Sequence, residues 1–80
     1  MIVKAKFPEI TLGAAANTVN DAACVRIYND DSGDVLITNI TTGGTFTLPT
    51  GAITFVQKAT SDTLSASANV KAVSVAFNIS

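Results

Sequence analysis

Histidine and tryptophan are absent from this 80-residue sequence, and cysteine occurs only once. Without histidine the usual general base is missing, which excludes Ser-His-Asp and Cys-His catalytic arrangements. Cys24 has no partner for a disulfide within the chain, and a zinc site would need several carboxylates around this one thiol. The sequence therefore predicts a protein that is not an enzyme and that has no catalytic, cofactor-binding or metal site.

Charge is also scarce. Charged residues make up 14% of the chain, against about 25% in ordinary soluble domains. Thr, Ser, Asn and Ala stand where Lys and Glu would normally keep a surface apart from its neighbours. A neutral, soluble monomer is one interpretation of this composition. We favour the other, a surface that contacts protein, because a chain this short also has little core of its own.

Long apolar runs and basic clusters are missing too. The net charge is −1 and the five basic residues are scattered, so no nucleic-acid partner is expected. No apolar run approaches the roughly 18 residues that span a bilayer, so no membrane partner is expected. Lys4 and Lys6 follow the first apolar residues, the reverse of the order in a signal peptide. We therefore expect synthesis in a cytoplasm without export by a cleaved signal.

What the chain does have is strand patterning. Val73, Val75 and Phe77 alternate with small residues, which is the cleanest period of two in the sequence. Similar segments recur every eight to twelve residues, separated by turn signals. About six or seven short strands are predicted, in a small antiparallel β-sandwich or barrel that forms a single domain over residues 1–80.

Residues 43–58 predict a β-hairpin. Phe46 and Leu48 alternate with threonines, and Ile53 and Phe55 resume the same apolar face after the turn. Between them, residues 48–51 fit a type I turn followed by a left-handed glycine.

Three segments are candidate protein-binding elements. Residues 1–8 predict an edge strand or an arm that pairs with a neighbouring subunit. The strand beginning at Val35 is apolar on both faces, which suits one face on the core and one on a partner. The last strand carries small residues on one face, where another subunit can approach closely. The candidate interface residues are Ile2, Val3, Phe7, Val35, Ile37, Ala72, Ser74 and Ala76.

The only carboxylate cluster is Asp30, Asp31 and Asp34, in a turn with Ser and Gly. A solvated hairpin loop is the favoured interpretation, because Asn and Asp hydrogen-bond their own backbone. A calcium site is the alternative, although the EF-hand spacing and its bidentate glutamate are absent. For Cys24, burial as a small apolar residue is favoured over a reactive thiol.

Several segments together resemble the small virion structural proteins of tailed phages that infect marine and aquatic bacteria. They are residues 25–29 with 35–38, residues 44–51 leading to 56–58, residues 62–67, and residues 71–77. The resemblance covers roughly residues 25–77 and consists of strands and turns. Proteins of this kind have no active site, so the resemblance implies no functional residue.

The resemblance implies a location in the virion, and we expect a capsid decoration (cement) protein that stabilises a phage head by bridging shell subunits. Its partners would be the major capsid protein or other virion proteins, together with copies of itself, a trimer being one arrangement. A neck or tail component is the alternative within the virion. A small carbohydrate-binding or adhesive β module is the alternative from another class, with Tyr28 as its only sugar-stacking candidate.

Overall fold

The computed structural model describes the backbone of residues 2–78 and the side chains of residues 4–76. These residues form only short strands, all paired antiparallel. The strands are β1 Ile2–Ala5, β2 Ile10–Leu12, β3 Cys24–Tyr28, β4 Val35–Asn39, β5 Thr45–Leu48, β6 Ile53–Gln57, β7 Leu64–Ala66 and β8 Val70–Asn78. The predicted all-β fold is confirmed, with eight strands in place of six or seven.

The strands form two sheets. The first has the order β1-β8-β3-β6, with β2 also paired to β8, and the second has the order β5-β4-β7. β8 is the longest strand, with nine residues, and organises the first sheet. One side of it pairs with β1 and then β2, and the other side pairs with β3.

The core lies between the sheets. Val25 and Ile27 of β3 and Val35 and Ile37 of β4 are fully buried in one apolar cluster. The cluster also contains Leu12, Val19, Ala22, Leu48, Leu64, Ala66, Val70 and Ala72. The accessible surface is 4498 Å², close to the about 4,500 Å² that surface scaling gives for a folded chain of this mass. The chain thus buries its own core without a partner.

One side of the sandwich is closed by backbone hydrogen bonds. Ala66 N donates to Gly13 O (2.8 Å), and Asn17 and Leu64 exchange two bonds of 3.0 and 2.8 Å. These bonds join β7 to the segment that follows β2. On the opposite side β5 and β6 are the outermost strands of their sheets in the part of the chain that the structure describes.

The predicted hairpin over residues 43–58 is wrong. β5 pairs with β4 and β6 pairs with β3, so residues 49–52 carry the chain from one sheet to the other. A turn is present, but one residue later than the predicted 48–51: Ala52 N donates to Pro49 O (3.1 Å), so the turn spans residues 49–52. Gly51 has the expected positive φ, of 78°. The alternation is also present, but Leu48 enters the core while Phe55 lies on the outer surface. Turn chemistry specifies the bend and leaves open which strand the next segment joins.

Asn29 decides where this crossover goes. Its side chain is fully buried, and Nδ2 donates to the carbonyl oxygens of Leu48 (2.8 Å) and Gly33 (3.0 Å). Its Oδ1 accepts from Asp31 N at 2.9 Å. Its backbone N donates to Ala52 O (3.0 Å), and its carbonyl accepts from Gly51 N (2.8 Å). One residue therefore ties the loop between β3 and β4 to the loop between β5 and β6.

The first strand is an edge of the first sheet in the described backbone. Ala5 lies opposite Val75 and Ile10 lies opposite Ala72, so four residues of the edge face two residues of β8. This insertion contains Pro8, which has no N–H for a ladder and is confined to edges and bulges.

A second irregularity precedes β3. Val19, Asn20 and Asp21 all have positive φ values, of 54°, 57° and 53°. Left-handed backbone is costly for residues with a Cβ, and most of all for a β-branched residue such as valine. Ala22 N closes the turn by donating to Thr18 O (3.3 Å), and Asn17 Oδ1 accepts from Val19 N (2.7 Å). Burial of the Val19 side chain offsets the strain.

Replacing Asn29 with alanine is expected to destabilise the fold by about 3 kcal/mol or more, because buried backbone groups lose partners at about 1–3 kcal/mol each. Chemical denaturation measures the effect. The control is Asn69→Ala, at an exposed site, which should change the free energy of unfolding by less than about 0.5 kcal/mol. Equal effects of the two substitutions would contradict the role given to Asn29.

Replacing Asn20 with glycine is expected to stabilise the fold by a few tenths of a kcal/mol up to about 1, since glycine adopts positive φ without steric cost. Thermal unfolding of the purified variant measures the shift. Ala15→Gly, at an exposed loop site without a positive φ, should lower stability, because glycine there only gains freedom in the unfolded chain. A loss of stability in Asn20→Gly would show that the left-handed turn does not form.

Candidate interaction surfaces

Four of the predicted interface residues lie in the interior. Val35, Ile37 and Ala72 are fully buried, and Ser74 is almost so, all facing the opposite sheet. Their side chains are not available to a partner, so the predicted contact at these positions needs correction. The alternation along β8 was predicted correctly, but the face predicted to meet a partner faces the opposite sheet. Its small residues, Ala72 and Ser74, let the two sheets approach each other.

The other predicted interface residues have different outcomes. Phe7 is exposed, next to Pro8 in the edge insertion, and Ala76 is half-buried. The side chains of Ile2 and Val3 lie outside the described residues. Phe7 is therefore the only one of the eight that the structure places on the surface as a large apolar side chain.

The outward face of the second sheet is uncharged and rich in hydroxyl groups. Leu36 of β4 lies opposite Thr47 of β5, and Thr38 lies opposite Thr45 and Ser65. Ser67 joins this face, because its hydroxyl accepts from Leu36 N (2.9 Å). We call these six residues, Leu36, Thr38, Thr45, Thr47, Ser65 and Ser67, the threonine face.

Two apolar side chains are exposed on or beside this face. Leu36 is 44% exposed, and Ile40, just beyond β4, is 48% exposed. When a partner removes water from such a surface, the apolar side chain gains free energy. The desolvation cost is smaller than on a charged surface, because no ion has to be desolvated. The sequence held a signal for this face, because Leu36 and Thr38 alternate with the buried Val35 and Ile37.

A second apolar surface lies on the outer face of β6, and we call it the β6 surface. Ile53, 56% exposed, and Phe55, 44% exposed, share the outer face of the first sheet with Gln57. A shallow groove of about 380 Å³ beside them is lined by Ala23, Cys24, Phe55 and Gln57. Tyr28, opposite Ile53, is half-buried, so the sugar-stacking candidate presents only part of its ring.

Part of this outer face is covered at Val73 of β8. Arg26 donates to the Glu9 carboxylate in an ion pair. Arg26 lies opposite Val73 on one side of β8, and Glu9 precedes β2 on the other side. The arginine side chain therefore crosses β8 at Val73, which explains why Val73 is buried although it points outward.

The acidic loop is held by hydrogen bonds within the chain. Asp31 N donates to Asn29, and the Thr50 hydroxyl donates to the Asp31 carbonyl. The loop joins the two sheets and is not a hairpin, because β3 and β4 do not pair. Cys24 is a half-buried free thiol on the outer face, and burial raises its pKa, against a smaller lowering by a hydrogen bond from the Val25 backbone.

Lys58 is a buried cation at the end of β6. Its Nζ donates to the carbonyl oxygens of Ala59 (3.3 Å) and Thr60 (3.4 Å). Burial lowers the pKa of Lys58, while the carboxylates of Asp62 and Asp21 act in the opposite direction. Asp62 is itself buried and accepts from Asn39 Nδ2 (3.2 Å) and Ala59 N (3.3 Å). These contacts fix the loop between β6 and β7.

Alkaline pH is expected to act on stability in opposite directions through Lys58 and Cys24. The folded protein loses the Lys58 proton before the unfolded chain does, so this residue makes stability rise with pH in the range just below its ordinary pKa of 10.5. The folded protein keeps the Cys24 proton longer, so this residue makes stability fall above its ordinary pKa of 9.0.

Urea denaturation at a series of alkaline pH values separates the two contributions. Lys58→Met should make the slope of unfolding free energy against pH more negative than in the unmodified protein, and Cys24→Ser should make it more positive. Identical slopes in all three proteins would contradict both shifts.

Residues 2–78 hold no cluster of three acidic or thiol side chains able to bind a metal ion. Within the same described range, no helix has the length and apolar character to cross a membrane. The threonine face and the β6 surface are thus the features with the clearest capacity to bind another molecule. Comparison of the chain with protein-family models, with curated proteins and with solved structures found no match.

Proposed function

We propose that this protein is a structural component of a phage virion, and that it decorates the capsid by binding the outer shell through the threonine face. The observation that carries the proposal is the exposure of Leu36 on that face, with Ile40 beside it, combined with an absence of charge among the six residues of the face. The resemblance of residues 25–77 to small virion proteins supports a partner within the virion, and we take that partner to be the major capsid protein.

The mechanism is adhesion. Contact with a shell subunit covers Leu36 and Ile40 and removes apolar area from water at about 25 cal/mol per Å². The threonine and serine hydroxyls each offer one donor and two acceptor sites, so they can satisfy the polar groups of many partner backbones. Because no charged group of the face is desolvated, the contact stays favourable across a range of salt concentrations.

The architecture suits a bridging role. The threonine face lies on a three-stranded sheet that is tied to the first sheet by the Asn29 hydrogen bonds, so the face is held on a packed scaffold. A rigid face loses little conformational entropy on binding. A protein that binds the assembled shell and not its separated subunits stabilises the shell by mass action. Decoration at many equivalent joints adds these contributions over the whole particle.

Leu36→Lys is expected to weaken binding to the shell by at least about tenfold, because it places an unpaired charge at the centre of the contact. The measurement uses virions stripped of this chain, to which purified protein is added back. Bound protein is quantified by gel densitometry, and the temperature of DNA release is recorded.

Thr11→Lys is the control, since it adds the same charge at an exposed strand position on the other sheet. It should bind and stabilise particles like the unmodified protein. Copy numbers in the hundreds per virion support decoration. A few to some tens would instead assign the protein to the neck or tail, and absence from the virion would overturn the proposal.

A further inference from the structure

The threonine face is too small to hold a specific contact by itself. Its three strands, β4, β5 and β7, have five, four and three residues. With strands about 4.8 Å apart and a rise of about 3.4 Å per residue, the face covers roughly 200 Å² in projection. Even about twice that area, to allow for the relief of the side chains, is roughly half of the 800 Å² that each partner buries in a stable interface. A partner of this face therefore also contacts residues around it.

The described part of the second sheet can be extended on one side. On the β7 side, Leu64 and Ala66 are hydrogen-bonded to the segment that follows β2. On the other side β5 pairs with β4 alone among the described strands. Thr45 and Thr47 of the threonine face lie on this outermost strand. A partner seated on the face therefore meets the edge of β5 within one strand spacing, about 5 Å.

The backbone groups of Thr45 and Thr47 point away from β4. Leu36, which lies opposite Thr47, directs both of its groups at the β7 side: its N donates to Ser67 Oγ (2.9 Å) and its O accepts from Ser67 N (3.0 Å). Leu36 and Thr47 are thus a pair without mutual hydrogen bonds, and in such a pair both residues direct their groups outward. The orientation repeats every second residue, so Thr45 and Thr47 both present N–H and C=O groups to the edge.

Phe46, between these two threonines, is an inward-facing side chain that one more strand would cover. It lies opposite Ile37, and cross-strand neighbours share a face of the sheet. Ile37 has β5 on one side and β7 on the other and is fully buried, whereas Phe46 is 37% exposed. The difference follows from the position of β5 at the end of its sheet. The edge therefore combines backbone groups with an apolar anchor.

We propose that an extended segment of the shell protein adds to β5 as a fourth, antiparallel strand of the second sheet, an inference that rests on the proposed function. The segment's residues opposite Thr45 and Thr47 each exchange both N–H···O=C bonds with them. The residue between them lies beside Phe46 and is apolar. Its two neighbours continue the threonine face and are small or carry a hydroxyl. The segment has no proline at the two bonded positions.

The identity of the occupant follows from the continuity of edge and face. Thr45 and Thr47 carry hydroxyls of the threonine face and also the outward backbone groups of the edge. A molecule that covers Leu36 is therefore already adjacent to β5, and strand addition supplies contact area that the face lacks. Main-chain hydrogen bonds give such a contact affinity, and the alternating side chains give it specificity.

Hydrogen exchange on particle-bound protein tests the backbone contacts. Purified protein is added back to virions stripped of this chain, exchanged in D2O, released into a quench and analysed residue by residue by NMR. In the free protein the amides of Thr45 and Thr47 should exchange faster than those of Phe46 and Leu48, which bond to β4. On the particle the two threonine amides should slow at least about tenfold. Equal rates in the free protein, or binding without this slowing, would overturn the inference.

Thr47→Pro and Thr47→Val form a matched pair for the same particles. Both remove the hydroxyl, but only proline removes the outward N–H, and an edge strand tolerates proline where that group faces solvent. Thr47→Pro should bind at least about tenfold more weakly than Thr47→Val. Circular dichroism checks that both are folded. Equal binding would overturn the inference, and so would an unfolded Thr47→Pro, since its N–H would then belong to the ladder with β4.

Leu36→Lys separates this inference from the proposed function. If Leu36→Lys weakens binding and Thr47→Pro matches Thr47→Val, the shell is bound by the face alone and strand addition is wrong. If the unmodified protein fails to bind the particles, both proposals are wrong. Sedimentation equilibrium of the free protein tests a second copy as the occupant. A dimer that Thr47→Pro dissociates would assign the edge to self-association and overturn the inference.

Discussion

This fold depends on the hydrogen bonds of one buried amide side chain, that of Asn29. Asn29 directly follows β3, and its side chain and backbone together bind the chain at Gly33, Leu48 and Ala52. The β3–β4 loop and the β5–β6 loop each connect the two sheets, and both are bonded to Asn29. These hydrogen bonds therefore fix which sheet β4 and β6 join. A buried amide in a low-dielectric interior is costly unless its donors and acceptors are paired. That requirement makes the arrangement specific, since few other paths of the chain would satisfy all of its groups.

The sandwich presents two surfaces of different character as a result. The outward face of the second sheet offers hydroxyl groups around Leu36, and the outer face of the first sheet offers the exposed side chains of Ile53 and Phe55. Among the described residues, charged groups interact elsewhere, in the Arg26–Glu9 ion pair across β8 and in the electrostatic attraction of Asp62 and Asp21 for Lys58. These charged groups cover or fix backbone, while the residues of the threonine face and of β6 carry no charge.

Sequence reasoning predicted the local features of the fold better than its connections. The strand segments, the positive φ of Gly51 and the all-β class follow from period and turn chemistry, which depend on neighbouring residues. The prediction of a hairpin was wrong because pairing of β5 with β4 depends on Asn29, whose burial no local pattern reveals.

The prediction of Val35 and Ala72 as interface positions was wrong for a related reason. Alternation identifies two faces of a strand, but the partner layer decides which one is buried, and that layer is distant in sequence. The left-handed turn at Val19 had no sequence signal beyond the tolerance of Asn20 and Asp21 for that conformation.

The central position of β8 in the first sheet also constrains the order in which the strands can pair during folding. β8 is the last of the eight strands, yet β1, β2 and β3 all require it as a ladder partner. Closing loops that long is entropically slow, and β folds dominated by distant pairings reach the native state in milliseconds to seconds. The β4–β5 hairpin can form during synthesis, because its strands are adjacent in the chain. The β3–β6 pair can also form before β8 is made, but β1 and β2 can join the first sheet only when the final strand is present.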